Sequence, residues 1–318
     1  MNDSSTMNDS STINDSSTIN DNTKMQALSP VFYGSVNRWE CDENDHLNVR
    51  FYAQKMHQTL VAGLLDLGLV TPTVLPATLR QLSSQHMRYV AEARIAAPLT
   101  GLFGLLQVTA ADFTVLTELR NTQTGQVQAA FTHHFRTPLA QTDLTTVALP
   151  EHAGSRGLDT APSAYANLSL QEARAHGFTT IGRGVIQPDE CTAAGELLAH
   201  LYMGRVSDSM PNLWAKFAEA DSTVTRGDGE EGGAVLEYSM HYNGQLAEGE
   251  RFEVVSGVRQ LGAKTQHFAH QVYSVDTGHC VVAAEAVAIA LDLKARRAMA
   301  ISPARRAAMG RFLLKPVG

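Results

Sequence analysis

Cysteine is scarce. The 318-residue chain has three, Cys41, Cys191 and Cys280, an odd number with no CxxC pair. This excludes a disulfide framework or a zinc ribbon and fits reduced thiols in a cytoplasm. Long apolar runs are also missing. No stretch approaches the roughly 18 residues that a spanning helix needs, so a membrane is not an expected partner. Clustered positive charge is absent too: Lys and Arg number 25 against 32 Asp and Glu, for a net charge of −7. Without a basic block, nucleic acid is not an expected partner either. Aromatic residues are only 7%, yet hydrophobic residues reach 44% and charged residues stop at 18%. That composition supports a packed core in a chain about two domains long.

The chain begins with a hexapeptide repeat, MNDSST, MNDSST, INDSST, followed by INDNT. One apolar residue per unit cannot offset the entropy of ordering the segment. It has neither the basic start nor the apolar core of a secretory signal. Residues 1–28 therefore read as a disordered, low-complexity tail. Its four aspartates, Asp3, Asp9, Asp15 and Asp21, against Lys24 account for −3 of the net charge.

The body repeats itself. Gly34, Glu40, Cys41, Leu47 and Tyr52 recur 150 residues on as Gly184, Glu190, Cys191, Leu197 and Tyr202. Met87, Tyr89, Thr124, Gly125 and Pro150 recur 153 residues on as Met240, Tyr242, Thr277, Gly278 and Pro303. The three added residues fall in an interval that contains the glycine-rich, acidic stretch 226–233, which reads as an enlarged loop. Each copy has the same order of elements. A short strand (31–36; 180–186) leads to a polar turn (40–45; 188–194) and a helix of about 20 residues (47–67; 195–218). Four strands follow: 85–89, 101–110, 114–121 and 127–136, then 236–242, 251–261, 266–275 and 281–291. Gly68 is a natural stop for the first helix, and Pro211 predicts a kink or break in the second. A long helix followed by antiparallel strands makes an α+β unit, with the sheet wrapped around the helix.

The densest polar cluster, residues 39–48, straddles the expected start of the first helix. A helix N-terminus offers unpaired N–H groups and partial positive charge. It can hold an acyl carbonyl and stabilise the oxyanion formed on attack. A carboxylate beside it can be a nucleophile or activate water. Asp42 is the candidate, with His46 and Asn48 to orient the substrate or the water. Capping of the helix by Asp42, Asn44 or Asp45 is the plainer reading of any one of these residues. Asp42, Asp45 and His46 are too crowded on one turn, without a fourth ligand, to make a metal site, so no metal is expected. His133 and His134, neighbours in a strand, point to opposite faces.

The pattern Asp42-x-x-Asp45-His46-Leu47-Asn48-x-x-x-Tyr52 resembles the signature of hotdog-fold acyl-CoA thioesterases of the 4-hydroxybenzoyl-CoA thioesterase type, Asp-x-x-Gly-His-Val-Asn-Asn-x-x-Tyr. Asp42 stands at the family's catalytic Asp, His46 at its His, Asn48 at its first Asn and Tyr52 at its Tyr. Asp45 replaces the family's Gly, and Val49 its second Asn. The resemblance covers about residues 30–305. It implies a tandem form: two hotdog units in one chain, each a long helix wrapped by an antiparallel sheet, with the two sheets paired. The expected division is tail 1–28, first unit 29–155, linker 156–178 and second unit 179–318. The second copy has Thr192, Gly195, Glu196 and Leu198 at the positions of Asp42, Asp45, His46 and Asn48. It reads as a degenerate packing partner, or as a contributing site built on Glu190, Thr192 and Glu196.

The implied activity is hydrolysis of an acyl-CoA thioester in the cytoplasm, with Asp42 as nucleophile or general base and no cofactor beyond the CoA of the substrate. A hotdog hydratase or dehydratase is an alternative, disfavoured because Asp42 and His46 are separated by three residues rather than four. A non-catalytic acyl-CoA binding protein is another. Further copies of the chain are left open as partners. Arg296, Arg297, Arg305 and Arg306 read as solvated surface, with CoA phosphates as the sharper alternative, and Asp208 as a carboxylate without an assigned role.

Overall fold

The computed structural model describes residues 27–43, 45–141, 143–220 and 231–317. Nearly all of the low-complexity tail, Asn44 and most of the expected 226–233 loop lie outside the described residues. The first half runs β1 (Ser29–Ser35), α1 (Val49–Asp66), a short α2 (Leu75–Leu79), β2 (Leu82–Tyr89), β3 (Pro98–Val108), β4 (Phe113–Asn121) and β5 (Val127–Phe135). A connecting segment holds α3 (Leu170–Ala175). The second half follows with β6 (Thr179–Val185), α4 (Leu201–Ala220), β7 (Glu231–Tyr242), β8 (Arg251–Leu261), β9 (Thr265–Ser274) and β10 (Cys280–Asp292). A short β11 (Arg297–Ala298) and α5 (Pro303–Gly310) complete it.

The strands form one sheet in the order β1-β3-β4-β5-β2-β7-β10-β9-β8-β6, with β11 beside β10. The order on one side of the β2–β7 junction mirrors the order on the other. At the junction itself His86 faces Ser239, two positions separated by the repeat offset of 153. The architecture is mixed α+β with a large antiparallel sheet, the arrangement of a hotdog fold. Each long helix lies on its half of the sheet, and the two helices touch. α1 buries Tyr52, Met56, Thr59, Leu60, Gly63 and Leu64, a stripe at helical spacing. α4 buries Tyr202, Met203, Val206, Leu213 and Phe217. One apolar cluster joins the halves, including Met56, Met87 and Phe131 with Met203, Val206, Met240 and Phe268. Gly63 is required by close approach, because a Cβ there would lie 2.2 Å from the Phe103 ring.

One expectation for the second helix is corrected, and one of two alternatives at Pro211 is removed. The helix begins at Leu201, not at 195. Gly195 has φ +75°, and Leu197 is bridged to Cys191 and bonded to Leu246, so this stretch is a pinned turn rather than a helix. Nor does Pro211 break it: α4 continues on both sides, to Ala220. The packing of Val206, Leu213 and Phe217 outweighs the missing N–H.

The connecting segment does more than link. It crosses the face of the sheet opposite the helices. Tyr273 donates to the Leu168 carbonyl at 2.7 Å, and Arg88 to that of Gly154 at 2.6 Å. The Arg156 and Gly157 amides donate to Glu237 at 3.0 and 2.8 Å. His86 bonds the same carboxylate at 2.7 Å. Burial alone would raise the Glu237 pKa, but these donors outweigh it and hold it down at about 2.

Candidate active site

The turn before α1 is closed on itself. The Asp42 amide donates to the His46 carbonyl at 2.8 Å, and the His46 amide donates to Asp42 Oδ1 at 3.2 Å. Cys41 bridges Leu47, and His46 bridges Arg94. The Leu47 amide reaches the Ala93 carbonyl at 2.8 Å. The second copy repeats this turn bond for bond. The Thr192 amide reaches the Glu196 carbonyl at 2.8 Å, the Glu196 amide reaches Thr192 Oγ1 at 3.4 Å, and Glu196 bridges Ala247. The tyrosines of the motif are structural: Tyr52 accepts from the Ala93 amide at 2.9 Å, and Tyr202 from Leu246 at 2.8 Å.

The helix cap differs from expectation. α1 starts at Val49, and its N-cap is Asn48, whose Oδ1 accepts from the Arg50 amide at 2.9 Å. Asp42 therefore closes the turn and does not cap the helix. Asp45 has φ +59°, in the same left-handed region as Gly195 at +75°. The turn demands a residue that tolerates this conformation, which accounts for the Gly of the family pattern. Asp45→Gly is expected to leave stability unchanged or raise it by up to about 1 kcal/mol, the order of the left-handed penalty. Urea unfolding checks this, and a clear loss overturns it.

The second half completes this site. Ser207 on α4 donates to Asn48 Oδ1 at 3.0 Å, which leaves Nδ2 as the end of that side chain with hydrogens to offer a ligand. Arg50 pairs with Asp208, so the aspartate left unassigned from the sequence has a partner. Burial raises the Asp208 pKa, while Arg50 and Arg205 oppose the rise. Of the first-turn amides of α1, Arg50 is taken by the cap side chain, and Phe51 and Tyr52 by the Asn48 carbonyl. Among the described residues, no partner outside the helix is found for the Val49 amide. His46 is buried. Its Nε2 lies 2.7 Å from Arg296 Nη2 and 3.4 Å from Glu92, and Arg296 pairs with Glu92. Burial pushes the His46 pKa below the usual imidazole value. Arg296 and Arg94 push the same way, against Glu92 and Asp42.

The second turn is engaged differently. Glu196 pairs with Arg80 from the first half at 2.5 Å. Glu190 pairs with Arg205 at 2.5 Å, which together with the Gln187 amide lowers its pKa against the effect of burial. A pocket of about 210 Å³ opens here, bordered by Arg80, Arg136, Leu197, Tyr202 and Tyr242. Between the helices, His57 and His200 lie with ring centroids 5.0 Å apart. Loss of solvent there pushes their pKa values down to about 4 and about 3. His133 is fully buried and bonds Thr117 at 2.8 Å, whereas His134 bonds Thr114 at 3.1 Å. Among the described residues no group of three or more His, Cys, Asp or Glu is placed to hold a metal.

Residues 188–309 match the Thioesterase-like superfamily. The match lies on the half whose motif has diverged. Solved structures are similar over most of the chain. A Lactobacillus plantarum protein assigned as an oleoyl thioesterase is 13% identical, with 83% of this chain and 96% of that one covered, at TM-score 0.58. An acyl-ACP thioesterase from Bacteroides thetaiotaomicron is 9% identical, covering 81% and 96%, at 0.57. The 12:0-ACP thioesterase from Umbellularia californica is 8% identical, covering 81% and 93%, at 0.54. A comparison with curated proteins finds no sequence match. The hotdog fold is shared with these proteins, and the superfamily match over residues 188–309 supports a thioester hydrolase.

Sequence reasoning named Asp42, His46 and Asn48, and the structure brings them to one turn and one helix cap. It did not name Glu92, Arg50 or Ser207, and it read Arg296 as surface. Arg306, also read as surface, is tied to the Leu261 and Gly262 carbonyls. No helix is long and apolar enough to cross a membrane among the described residues.

Proposed function

We propose that the chain hydrolyses acyl thioesters of coenzyme A at the Asp42 turn. The observation that carries this reading is the meeting of Asp42, His46 and the Asn48-capped helix with Ser207, Asp208 and Arg296 of the other half. Asp42 either attacks the thioester carbonyl, giving an anhydride that water opens, or removes a proton from the attacking water. Val49 N–H and Asn48 Nδ2 are the donors for the oxyanion. In the first route the C–S bond breaks as the anhydride forms, so the thiol leaves before water frees the acid. In the second, collapse of the water adduct breaks the same bond and releases acid and thiol together, the thiolate taking up the proton that Asp42 removed. The proposed reaction needs no metal and no cofactor of its own. Two of the similar structures are named for acyl-ACP, so a carrier protein is a second handle to test.

In this reading the chain is a tandem of hotdog units, 29–155 and 179–318, joined by 156–178, and it works in the cytoplasm. The mirrored strand order and the 150- and 153-residue repeats support it. The second turn lacks the Asp and His and has Glu196 engaged by Arg80, so it serves as a partner and not as a second catalytic centre. The test is a hydrolysis assay over acyl-CoAs and acyl-ACPs of graded chain length. Turnover of one class supports the reading, and tight binding without turnover replaces it with a binding protein. Deleting residues 1–26 is expected to leave both melting temperature and turnover nearly unchanged, because their composition cannot support packing. A drop of many degrees in a thermal melt would show that the tail docks.

A further inference from the structure

Arg296 is an odd residue for its place. β10 and β11 form a hairpin in which Leu291 faces Ala298 and Asp292 faces Arg297. Asp292 Oδ1 accepts from the Lys294 and Ala295 amides at 3.0 and 2.7 Å and shapes the turn. The last turn residue, Arg296, has φ +51°. Glycine suits that conformation, and a side chain there is strained. The guanidinium reaches from this turn to His46 and Glu92, 250 residues away from His46 in sequence.

The geometry at His46 admits two arrangements. Glu92 lies 3.4 Å from His46 Nε2, and a protonated Nε2 would pair with it. Arginine has hydrogens to donate and no lone pair to accept them. With Arg296 Nη2 at 2.7 Å, Nε2 must be the acceptor, and the ring proton of neutral His46 sits on Nδ1. Arg296 also occupies the Glu92 carboxylate. The charged groups facing His46 are Asp42 from its own turn, Glu92 and Arg94 from the segment after β2, and Arg296 from the hairpin.

We propose that Arg296 is a positioning residue of the first site, supplied by the second half of the chain, that fixes His46 as the neutral Nδ1-protonated tautomer. The role rests on the reading of His46 as a site residue, but its test does not depend on activity. Removing Arg296 frees Glu92 to pair with Nε2–H, which favours the imidazolium. Arg296→Gly removes the guanidinium and relieves the backbone together.

The experiment follows the His46 ring nitrogens by long-range ¹H–¹⁵N correlation over pH in the full-length chain, with assignment by His46→Gln. In the wild type Nε2 is expected unprotonated and Nδ1 protonated, with the ring titrating below the usual imidazole range. In Arg296→Gly the titration midpoint should rise by about one pH unit or more, with melting temperature unchanged. The acid limb of kcat/KM should move with it. Well below the midpoint, a rise of about one pH unit means about tenfold less of the neutral ring and about tenfold lower kcat/KM. Arg296→Lys, which keeps a charged donor, should restore most of the wild-type profile. A wild-type ring protonated at Nε2, or an unchanged midpoint in Arg296→Gly, overturns the proposal. If the midpoint moves while the wild type hydrolyses no thioester, the positioning role stands and the proposed function falls.

Discussion

Asp42→Asn is expected to lower turnover at least about a hundredfold, the low end of what a positioned acid–base group contributes, with the fold intact. In the turn Asp42 acts as an acceptor, the His46 amide donating to its Oδ1 at 3.2 Å. The Asn carboxamide oxygen can accept that bond equally well. What the substitution removes is the negative charge that attack or proton abstraction needs. Helix α1 is indifferent to the change, since its cap is Asn48. Glu196→Gln is the matched control. Glu196 occupies the equivalent turn but is held by Arg80, and its copy has Thr192 where a carboxylate is needed. Its effect on turnover should be small. Both variants are measured on the best thioester of the panel, with thermal melts alongside. An inactive Glu196→Gln beside an active Asp42→Asn reverses the assignment of the two turns.

The largest stability effect is expected at Lys55. Its ammonium lies 2.8 Å from Glu40 Oε1 and 2.9 Å from the Ser35 carbonyl, and both side chains of the pair are under 10% exposed. Glu40 in turn accepts from the Asn37 amide at 2.8 Å, and its carbonyl receives the Asn48 amide at 2.9 Å. Lys55→Met leaves a buried carboxylate without its counter-ion. Breaking such a pair costs about 3–5 kcal/mol. In a chain of 318 residues that is a fall of roughly 4–8 °C in melting temperature, from about 2.1 cal/mol/K of unfolding entropy per residue. Adding Glu40→Gln removes the stranded charge and should recover most of the loss. If the double variant is no more stable than Lys55→Met, the cost lies in packing and not in charge. The counterpart pair, Arg205 with Glu190, is more exposed, at 14% and 20%, and should matter less.

Much of the strand plan was legible because alternation and turn residues are local signals. The expected bounds of β4, β8 and β9 lie within a residue of those found. The helix ends were less legible. Residues 195–200 carry apolar spacing compatible with a helix, but the bond from Leu197 to Leu246 depends on the loop between β7 and β8, 49 residues on. The short helices α2, α3 and α5 span less than three turns and gave no usable periodicity. At the site, the motif residues were readable because they share one turn. Their partners were not. Ser207 is 159 residues from Asn48, and Arg296 is 250 from His46. Nothing in the neighbourhood of either residue marks it as part of that turn. Asp45 was visible as a departure from the family pattern, but its left-handed backbone, which explains what the pattern asks of that position, required coordinates.

The mirrored halves share one peptide, and this changes what a single mutation can do. In an assembly of identical subunits, each substitution is made at every mouth at once, so a change that improves one surface is imposed on all. Here His46 and Glu196 occupy equivalent turns but are separate codons. Arg296 sits on a hairpin that serves the first turn, and Arg80 on a different element serves the second. One mouth can be held to the demands of chemistry while the other drifts toward packing or toward a new ligand. The pocket beside Arg80 and Arg136 is therefore free to change its lining without passing the same change to the Asp42 turn.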